Sequence, residues 1–403
     1  MSVAEIARGF VRGASARRTR ATLDATIRAR AGVAHAWPIA SGRAAMTLVL
    51  QALRSVANDP RRDEVLVPAY TCYSVPASIA RAGLRPRLVD VDPRTLGMDP
   101  RALEKADFSR ALAVVSANLY GIPNDLPAIE AIALERGVFL VDDGAQCIGA
   151  RIAGRAVGTF GDVGLYSFDK GKVICTIQGG AIVCREDRVA DAIGASMDAL
   201  PDSTFAETLG NVIKLPIYAL CLRPALYGAI RSLPFLGLGR TAYEERYPIA
   251  KLSAPQMGVA VELLRRLDAI AADRAAKAAT LRAALEGAPG IELPAIAADA
   301  EPAWVRFPLR VTDASARDAF IAALDAAGIG ATTSYPLALC DVPEVAAQLR
   351  SPRDAMPGAR QVASQIMTLP THGFCPDGYA ERIRALAHAN APARARELSG
   401  AAT

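Results

Sequence analysis

Short apolar segments alternate with helical patterns along the first half of the chain, and this alternation constrains the fold most strongly. The apolar segments predict buried strands within 64–72, 86–92, 113–118 and 139–143, and the last three end in polar residues. Strands that alternate with helices form a mostly parallel sheet with helices on both faces. Because ligands collect at the carboxyl ends of such strands, we expect a binding site at that edge of the sheet.

The composition is typical of an ordinary folded enzyme. The chain has 403 residues, enough for two or three domains, and 52% of them are hydrophobic. The net charge is only +5, and no Lys/Arg block predicts nucleic-acid binding. Seven cysteines without a CxxC pair indicate free thiols in a reducing compartment, so we expect a cytoplasmic protein. With only three histidines in the chain, no metal site is predicted.

A glycine-flanked lysine stretch, residues 161–172, carries the clearest chemical signal. Ser167-Phe168 precedes Lys172, which suits a phosphate ligand followed by an amine that bonds to an aldehyde. Upstream, the apolar strand that begins at Phe139 ends in Asp142-Asp143, and a carboxylate there suits a ring nitrogen. Because successive side chains of a strand alternate, Asp142 and Asp143 should point to opposite faces. Together these features predict a pyridoxal phosphate site, in which the protein orients the cofactor.

A second phosphate signal lies earlier in the chain. Ser41-Gly42-Arg43 is a small-residue turn that opens a helical pattern running through Leu53. The start of a helix presents free backbone N–H groups and the positive end of its dipole, which suits a phosphate. Such a turn is by itself most often a simple N-cap.

These motifs, in this order, resemble those of the DegT/DnrJ/StrS aminotransferases, also called sugar aminotransferases. The resemblance runs from about Ser41 to Leu369-Pro370 and implies the α/β fold of type I pyridoxal phosphate transferases. That fold has a large domain with a mostly parallel seven-stranded sheet and a smaller C-terminal α+β domain. We therefore expect a large cofactor-binding domain at 1–250 and, at 251–403, the small domain preceded by a linking helix from Ser253 to about Leu285.

The resemblance also assigns roles to individual residues. Lys172 matches the lysine that bonds to the cofactor, and Asp143 matches the partner of the pyridine nitrogen; both are expected to be catalytic. Lys170 competes with Lys172, but the family spacing favours Lys172. Some family members carry His at this position and act as dehydratases, so the lysine indicates transamination. The complete set of expected cofactor-binding residues is Gly42, Arg43, Tyr73, Asp143, Gln146, Ser167 and Lys172.

The sequence departs from the family pattern at several places. Arg43 replaces a threonine, so either its backbone alone binds the phosphate or its guanidinium adds a contact. The family aromatic that stacks on the pyridine ring falls at Cys72, and Tyr73 or Tyr70 beside it is the alternative, although either could be plain core. Asn118 replaces a histidine before Leu-Tyr-Gly. The segment 240–248 replaces a Gly-x-Asn-x-Arg motif whose Asn reaches the neighbouring subunit's cofactor.

The resemblance implies a function as well as a fold. We expect an aminotransferase that passes an amino group, with glutamate as the donor, to a keto-sugar attached to a nucleotide, and that works as a homodimer. Two alternatives remain open at this stage. One is an enzyme of the same fold for a lipid-linked or non-sugar substrate, and the other is a non-catalytic regulator or binding module.

Two further stretches bear on targeting and membranes. Residues 1–30 are rich in arginine and predict an amphipathic first helix rather than a transit peptide. Residues 212–238 are strongly apolar but are interrupted by cations and prolines, so they do not predict a bilayer-spanning helix. One interpretation is a pair of buried helices or a dimer-interface hairpin. The other is a cationic interfacial patch that contacts a membrane or a lipid-linked substrate.

Overall fold

The computed structural model describes residues 1–185, 187–221, 242–350 and 355–391. Its strands are His35–Ile39 (β1), Glu64–Pro68 (β2), Arg85–Val89 (β3), Ala111–Ala117 (β4), Phe139–Asp143 (β5), Arg151–Ile152 (β6), Arg155–Ala156 (β7), Val163–Ser167 (β8), Gly180–Cys184 (β9), Ile291–Glu292 (β10), Ala300–Glu301 (β11), Phe307–Val311 (β12) and Ile366–Leu369 (β13).

The α-helices of the same ranges complete the element order. They are Val3–Gly13 (α1), Ala16–Ala31 (α2), Gly42–Ala57 (α3), Ser74–Arg81 (α4), Pro100–Glu104 (α5), Leu126–Glu135 (α6), Asp187–Asp198 (α7), Phe205–Cys221 (α8), Ala254–Leu264 (α9), Leu267–Leu285 (α10), Ala314–Ala326 (α11), Pro343–Ala346 (α12), Pro357–Gln365 (α13) and Tyr379–Ala389 (α14).

The main sheet has seven strands in the order β1-β9-β8-β5-β4-β2-β3. The five strands from β8 to β3 are parallel to their neighbours, whereas β9 runs antiparallel to both β8 and β1. The mostly parallel seven-stranded sheet is therefore confirmed. Because its parallel strands share one direction, the polar ends of β4, β5 and β8 meet at one edge.

The sheet separates two hydrophobic cores. Val65 and Val67 face the core formed with α3, α4 and α7, whereas Leu66 between them faces the core formed with α1, α2, α6 and α9. Successive side chains of a strand point to opposite faces, so a strand buried on both sides must be apolar throughout. This explains why the predicted strands are continuous apolar runs.

A smaller sheet, β10-β12-β13, is antiparallel and packs with α10, α11 and α14 around a third core. It lies in the part of the chain where a small domain is predicted. The segment from Tyr335 to Ile366 nevertheless contributes to the core on the α3 side of the main sheet. The proposed boundary at residue 250 stays a prediction.

The single linking helix expected from Ser253 to Leu285 is wrong in one respect, because it is two helices. The break falls at Arg265 and Arg266, between α9 and α10. Every residue from Gln256 to Leu264 is buried, while Arg265 pairs with Glu262 at 3.4 Å. Arg265 and Arg266 form a turn between the two helices, in which the N–H of Arg266 donates to the carbonyl of Leu263 at 3.0 Å.

The N-terminal region forms two helices, α1 and α2, and α1 crosses α9 at very short range. A Cβ built on Gly258 would lie 1.9 Å from the carbonyl oxygen of Gly9. Only glycine permits this approach of two backbones.

The structure also bears on the predicted absence of a bilayer-spanning helix and on the predicted thiols. No helix in the described ranges is both long enough and apolar enough to cross a bilayer. The apolar stretch begins within α8, but its residues 222–238 lie outside the described residues. All six cysteines whose side chains are described are free thiols, as expected.

Candidate active site

The phosphate end of the predicted site lies where β1 leads into α3. Ser41 caps the helix, and its Oγ accepts the N–H of Ala44 at 3.1 Å. Ser167, the last residue of β8, lies against the start of this helix, because a Cβ built on Gly42 would come within 3.0 Å of the Ser167 Cβ. The missing side chain at Gly42 therefore lets a helix N-terminus and a hydroxyl meet at one place, which suits an anion.

Arg43 directs its guanidinium toward a different part of the chain. Its Nη1 pairs with Glu244 Oε2 at 2.7 Å, and the guanidinium lies over the Tyr247 ring, 4.8 Å from the ring centroid. The sequence left open whether this side chain contacts the phosphate. The observed pairing favours the alternative in which Arg43 contributes only its backbone N–H.

Tyr247 belongs to the segment 240–248, which takes the place of the family motif with the cross-subunit Asn. The Tyr247 ring lies between two guanidinium groups, those of Arg43 and Arg81, the latter 4.6 Å from the ring centroid. Its hydroxyl hydrogen-bonds with Thr47 Oγ1 at 2.6 Å and donates to Ser78 Oγ at 3.0 Å. This segment is therefore fixed to α3 and α4 of its own chain.

The carboxyl end of β5 carries two adjacent carboxylates with different surroundings. Asp142 Oδ2 accepts the N–H groups of Gly158 at 2.6 Å and Phe160 at 3.2 Å, and Oδ1 accepts Nδ2 of Asn118 at 2.8 Å. Burial raises the pKa of Asp142 to about 7, although these three donors act in the opposite direction. The sequence predicted that Asp142 faces away from Asp143, and these contacts agree.

Asp143 faces the lysine loop that connects β8 with β9. It is 7% exposed, and its Oδ1 accepts the N–H of Ala145 at 2.9 Å. Burial raises the pKa of the Asp143 carboxyl, while the Ala145 N–H and the positive charge of Lys172 lower it. A buried carboxylate with a cation close by can hold the proton of a heteroaromatic ring nitrogen.

The two lysines of the loop differ in their surroundings. Lys172 is half-buried, and its backbone N–H closes a turn to the carbonyl of Asp169 at 3.2 Å. Lys170 is exposed. The charge of Lys172 acts on Asp143, so its amine belongs to the same electrostatic site as the carboxylate. The position of Lys172 beside Asp143, and the exposure of Lys170, favour Lys172 as the lysine of the site.

Tyr73 lies at the side of the site formed by the loop after β2. Its ring centroid is 5.9 Å from that of Tyr335, and its hydroxyl donates to the carbonyl of Leu337 at 3.2 Å. Tyr70 is almost fully buried and meets the Tyr335 ring edge-on at 5.9 Å. Both tyrosines are thus held by the same distant segment, and which aromatic stacks on a cofactor stays a prediction.

Gln146 ties three loops together. Its Oε1 accepts the N–H of Tyr120 at 2.9 Å, and its Nε2 donates to the hydroxyl of Tyr335 at 3.2 Å. Tyr335 is a residue that sequence reasoning did not assign to the site. It stands 189 residues from Gln146 in the sequence, so no local pattern connects the two.

The residues at this edge fit pyridoxal phosphate on three counts. The helix start at Gly42 and the Ser167 hydroxyl form a cradle for a phosphate. Asp143 offers a buried carboxylate for a ring nitrogen, and Lys172 offers a half-buried amine. Among the described residues, no group of His, Cys, Asp or Glu side chains is arranged to hold a metal ion.

The chain is similar to a well-defined group of known proteins. Residues 13–215 and 224–385 match the model of the DegT/DnrJ/EryC1/StrS aminotransferase family. A dTDP-3-amino-3,4,6-trideoxy-alpha-D-glucose transaminase from Streptomyces venezuelae is 30% identical over 83% of this chain and 77% of its own length.

Two further matches extend this similarity. A UDP-N-acetyl-3-dehydro-alpha-D-glucosamine 3-aminotransferase from Acidithiobacillus ferrooxidans is 38% identical over 41% of this chain and 44% of its own length. The crystal structure of DesV from S. venezuelae, in complex with a ketimine intermediate, is 26% identical. It superposes with a TM-score of 0.73 over 92% of this chain and 88% of that chain.

Proposed function

Because the chain belongs to the DegT/DnrJ/EryC1/StrS aminotransferase family, we propose that it transfers an amino group from glutamate to a nucleotide-linked keto-sugar. The observation that carries this proposal is the meeting of Asp143 and Lys172 at the sheet edge, with Ser167 and the start of α3 close by. The two relatives described above are named for sugar nucleotides, which supports this substrate class.

Pyridoxal phosphate is the proposed cofactor, and when bound it supplies an electron sink for the bonds at the amino carbon. Ser167 and the first N–H groups of α3 would hold its phosphate, and Asp143 would keep the ring nitrogen protonated. Gln146 is proposed to lie near the phenolic oxygen, and Tyr73 beside the ring face. These roles follow the family pattern and agree with the positions described above.

Lys172 is proposed to hold the cofactor and to move a proton. The Lys172 amine would hold the cofactor when it is bound, because an amine bonds to an aldehyde. The same amine would then move a proton at the amino carbon of the substrate. The same residue serves both halves of the reaction, first with glutamate and then with the keto-sugar.

We also propose that the chain works as a two-fold homodimer, as the resemblance implies. The segment around Tyr247 packs against α3 and α4 of its own chain. The segment 240–248 also contains no Asn. We therefore propose that a different residue reaches the neighbouring subunit's site.

Glutamate-dependent release of 2-oxoglutarate from the protein loaded with pyridoxal phosphate tests the first half of the reaction. We expect release by the wild-type protein and a loss of at least about 100-fold in Asp143→Asn, because an amide cannot hold the ring proton. No release with glutamate or any other amino acid would contradict an aminotransferase.

A screen of nucleotide-linked keto-sugars then tests the second half. The proposal expects the amino group to be transferred to at least one of them. Release of 2-oxoglutarate without transfer to any nucleotide sugar would instead support the alternative of a non-sugar or lipid-linked substrate on the same fold.

A further inference from the structure

One face of α8 is apolar and exposed. Its large side chains recur at intervals of four and then three residues, which places them along one side of the helix. Their exposed fractions are 82% for Phe205, 45% for Leu209, 52% for Ile213, 47% for Ile217 and 41% for Leu220. We call this set the α8 apolar face. A contiguous apolar surface on a folded protein marks an interaction site.

The helix is nevertheless packed in a definite orientation. Leu215 and Ala219, on the opposite side, are buried, and Asn211 is 8% exposed. Tyr218 accepts the backbone N–H of Gly171 at 3.2 Å, which ties α8 to the lysine loop. Other apolar residues of α8 pack against the core, so the exposed apolar residues are not needed to hold the helix in place.

The neighbouring helix α1 also exposes apolar side chains. It packs against α8 and exposes Val3 at 46% and Val11 at 78%. Further along the chain, Arg17 and Arg18 at the start of α2 are exposed. Exposed apolar side chains together with exposed arginines are the composition of segments that lie in a lipid headgroup layer.

The sequence of α8 and of the residues that follow it favours an anionic partner. From Thr208 to Ala242 it contains no Asp or Glu, but it contains Lys214, Arg223, Arg231 and Arg240, of which the three arginines lie outside the described residues. Glu207, the acidic residue just before this stretch, accepts hydrogen bonds from Thr204 at 2.9 Å at the helix start. Anionic lipids attract a basic sequence of this kind, whereas a second copy carries the same charge.

We propose that the α8 apolar face docks on the surface of an anionic membrane. A helix with one exposed apolar face docks with its axis in the plane of the interface and that face toward the acyl chains. The hydrogen bond between Tyr218 and Gly171 then places the lysine loop next to the docked helix. This inference does not depend on which substrate the enzyme aminates.

Sedimentation of the full-length holoenzyme with lipid vesicles tests the proposal. Vesicles of phosphatidylcholine alone are compared with vesicles that also contain phosphatidylglycerol. We expect binding to the anionic vesicles, weakened by salt, and at least about tenfold weaker binding in Ile213→Gln/Ile217→Gln. The matched control is Leu134→Gln on α6, where the leucine is 81% exposed, and it should bind like wild type.

Two readouts keep the outcomes distinct. Cofactor absorbance and thermal unfolding check that each variant is folded. We expect that they are, because the altered side chains are exposed. Failure of the wild type to sediment with anionic vesicles would overturn the proposal, as would equal binding by the double variant. A double variant that changes from dimer to monomer in analytical ultracentrifugation, with vesicle binding unchanged, would assign the face to a second copy instead.

Discussion

Asn118 shows how one residue can depart from a family pattern and still be explained by its contacts. It replaces a histidine of the family, and its side chain is buried. Its Nδ2 donates to Asp142 Oδ1 at 2.8 Å and to the carbonyl of Asp143 at 3.0 Å, while its Oδ1 accepts the N–H of Asn124 at 2.8 Å. Asn118 is therefore a positioning residue for the strand end that carries Asp143.

Replacing Asn118 tests this role. Asn118→Ala leaves a buried carboxylate and a buried N–H without their partner, so the free energy of unfolding should fall by about 1–3 kcal/mol. Denaturant unfolding measures the change. Asn390→Ala is the control, because Asn390 makes a local bond to Leu386 and should cost less than about 0.5 kcal/mol. Equal losses in the two variants would contradict the role.

The buried carboxyl of Asp142 predicts a pH dependence of stability. Its pKa is about 7 in the folded protein, against 3.8 in the unfolded chain. Between these values the folded state holds a proton that the unfolded state has released, so the contribution of Asp142 to stability falls as pH rises from about 4 to about 7. The difference in unfolding free energy between wild type and Asp142→Asn should fall across this window and level off above it. A constant difference would contradict the raised pKa.

Substitutions of Arg43 and Ser167 should differ in their effect on cofactor affinity. The Arg43 guanidinium is paired with Glu244, so Arg43→Thr should change the dissociation constant of pyridoxal phosphate by less than about threefold. Ser167→Ala removes a hydroxyl from the phosphate cradle and should weaken binding at least about tenfold. Titration of the apoprotein, followed by absorbance, measures both constants. If the two variants lost cofactor affinity to a similar degree, the Arg43 guanidinium would have to contact the phosphate.

At the scale of elements, the sequence predicted the strands and the site at their ends because these depend on local patterns. Continuous apolar runs identified the parallel strands, and residue alternation placed Asp142 and Asp143 on different sides. The break between α9 and α10 was missed because the apolar pattern continues across it, from Leu264 to Leu267.

Contacts between distant elements could not be predicted from the sequence. Tyr335 meets Gln146 and the tyrosines after β2 only when a segment beyond residue 330 folds back onto the main sheet. Likewise, the sequence showed that 240–248 departs from the family but not that Tyr247 packs between Arg43 and Arg81. No local periodicity reports such pairings.

The crossing of α1 and α9 gives an element-scale prediction. In Gly258→Ala the new methyl group would meet the Gly9 carbonyl, so the two helices must separate and the free energy of unfolding should fall by about 1–3 kcal/mol. Gly194→Ala in α7 is the control, since a Cβ there has nothing within 4 Å and should stabilise the helix by about 0.5–1 kcal/mol. Thermal unfolding compares them, and equal effects would show that the crossing tolerates a side chain.

At the scale of the whole molecule, the described residues join a seven-stranded sheet, two three-stranded sheets and two segments that return to the site from far along the sequence. The family, the fold and the aminotransferase class agree with what the sequence predicted. The proposed homodimer predicts a sedimentation mass of twice the chain mass at micromolar concentration. A monomer with full activity would show that one chain completes the site alone.

The proposed reaction depends on which lysine supplies the reactive amine. Borohydride reduction of the holoenzyme fixes the cofactor covalently to the lysine that holds it, and peptide mass spectrometry then locates the label. We predict a pyridoxyl phosphate label on Lys172, retained in Lys170→Ala and lost in Lys172→Ala. A label on Lys170, or no label on any lysine of the loop, would contradict the account.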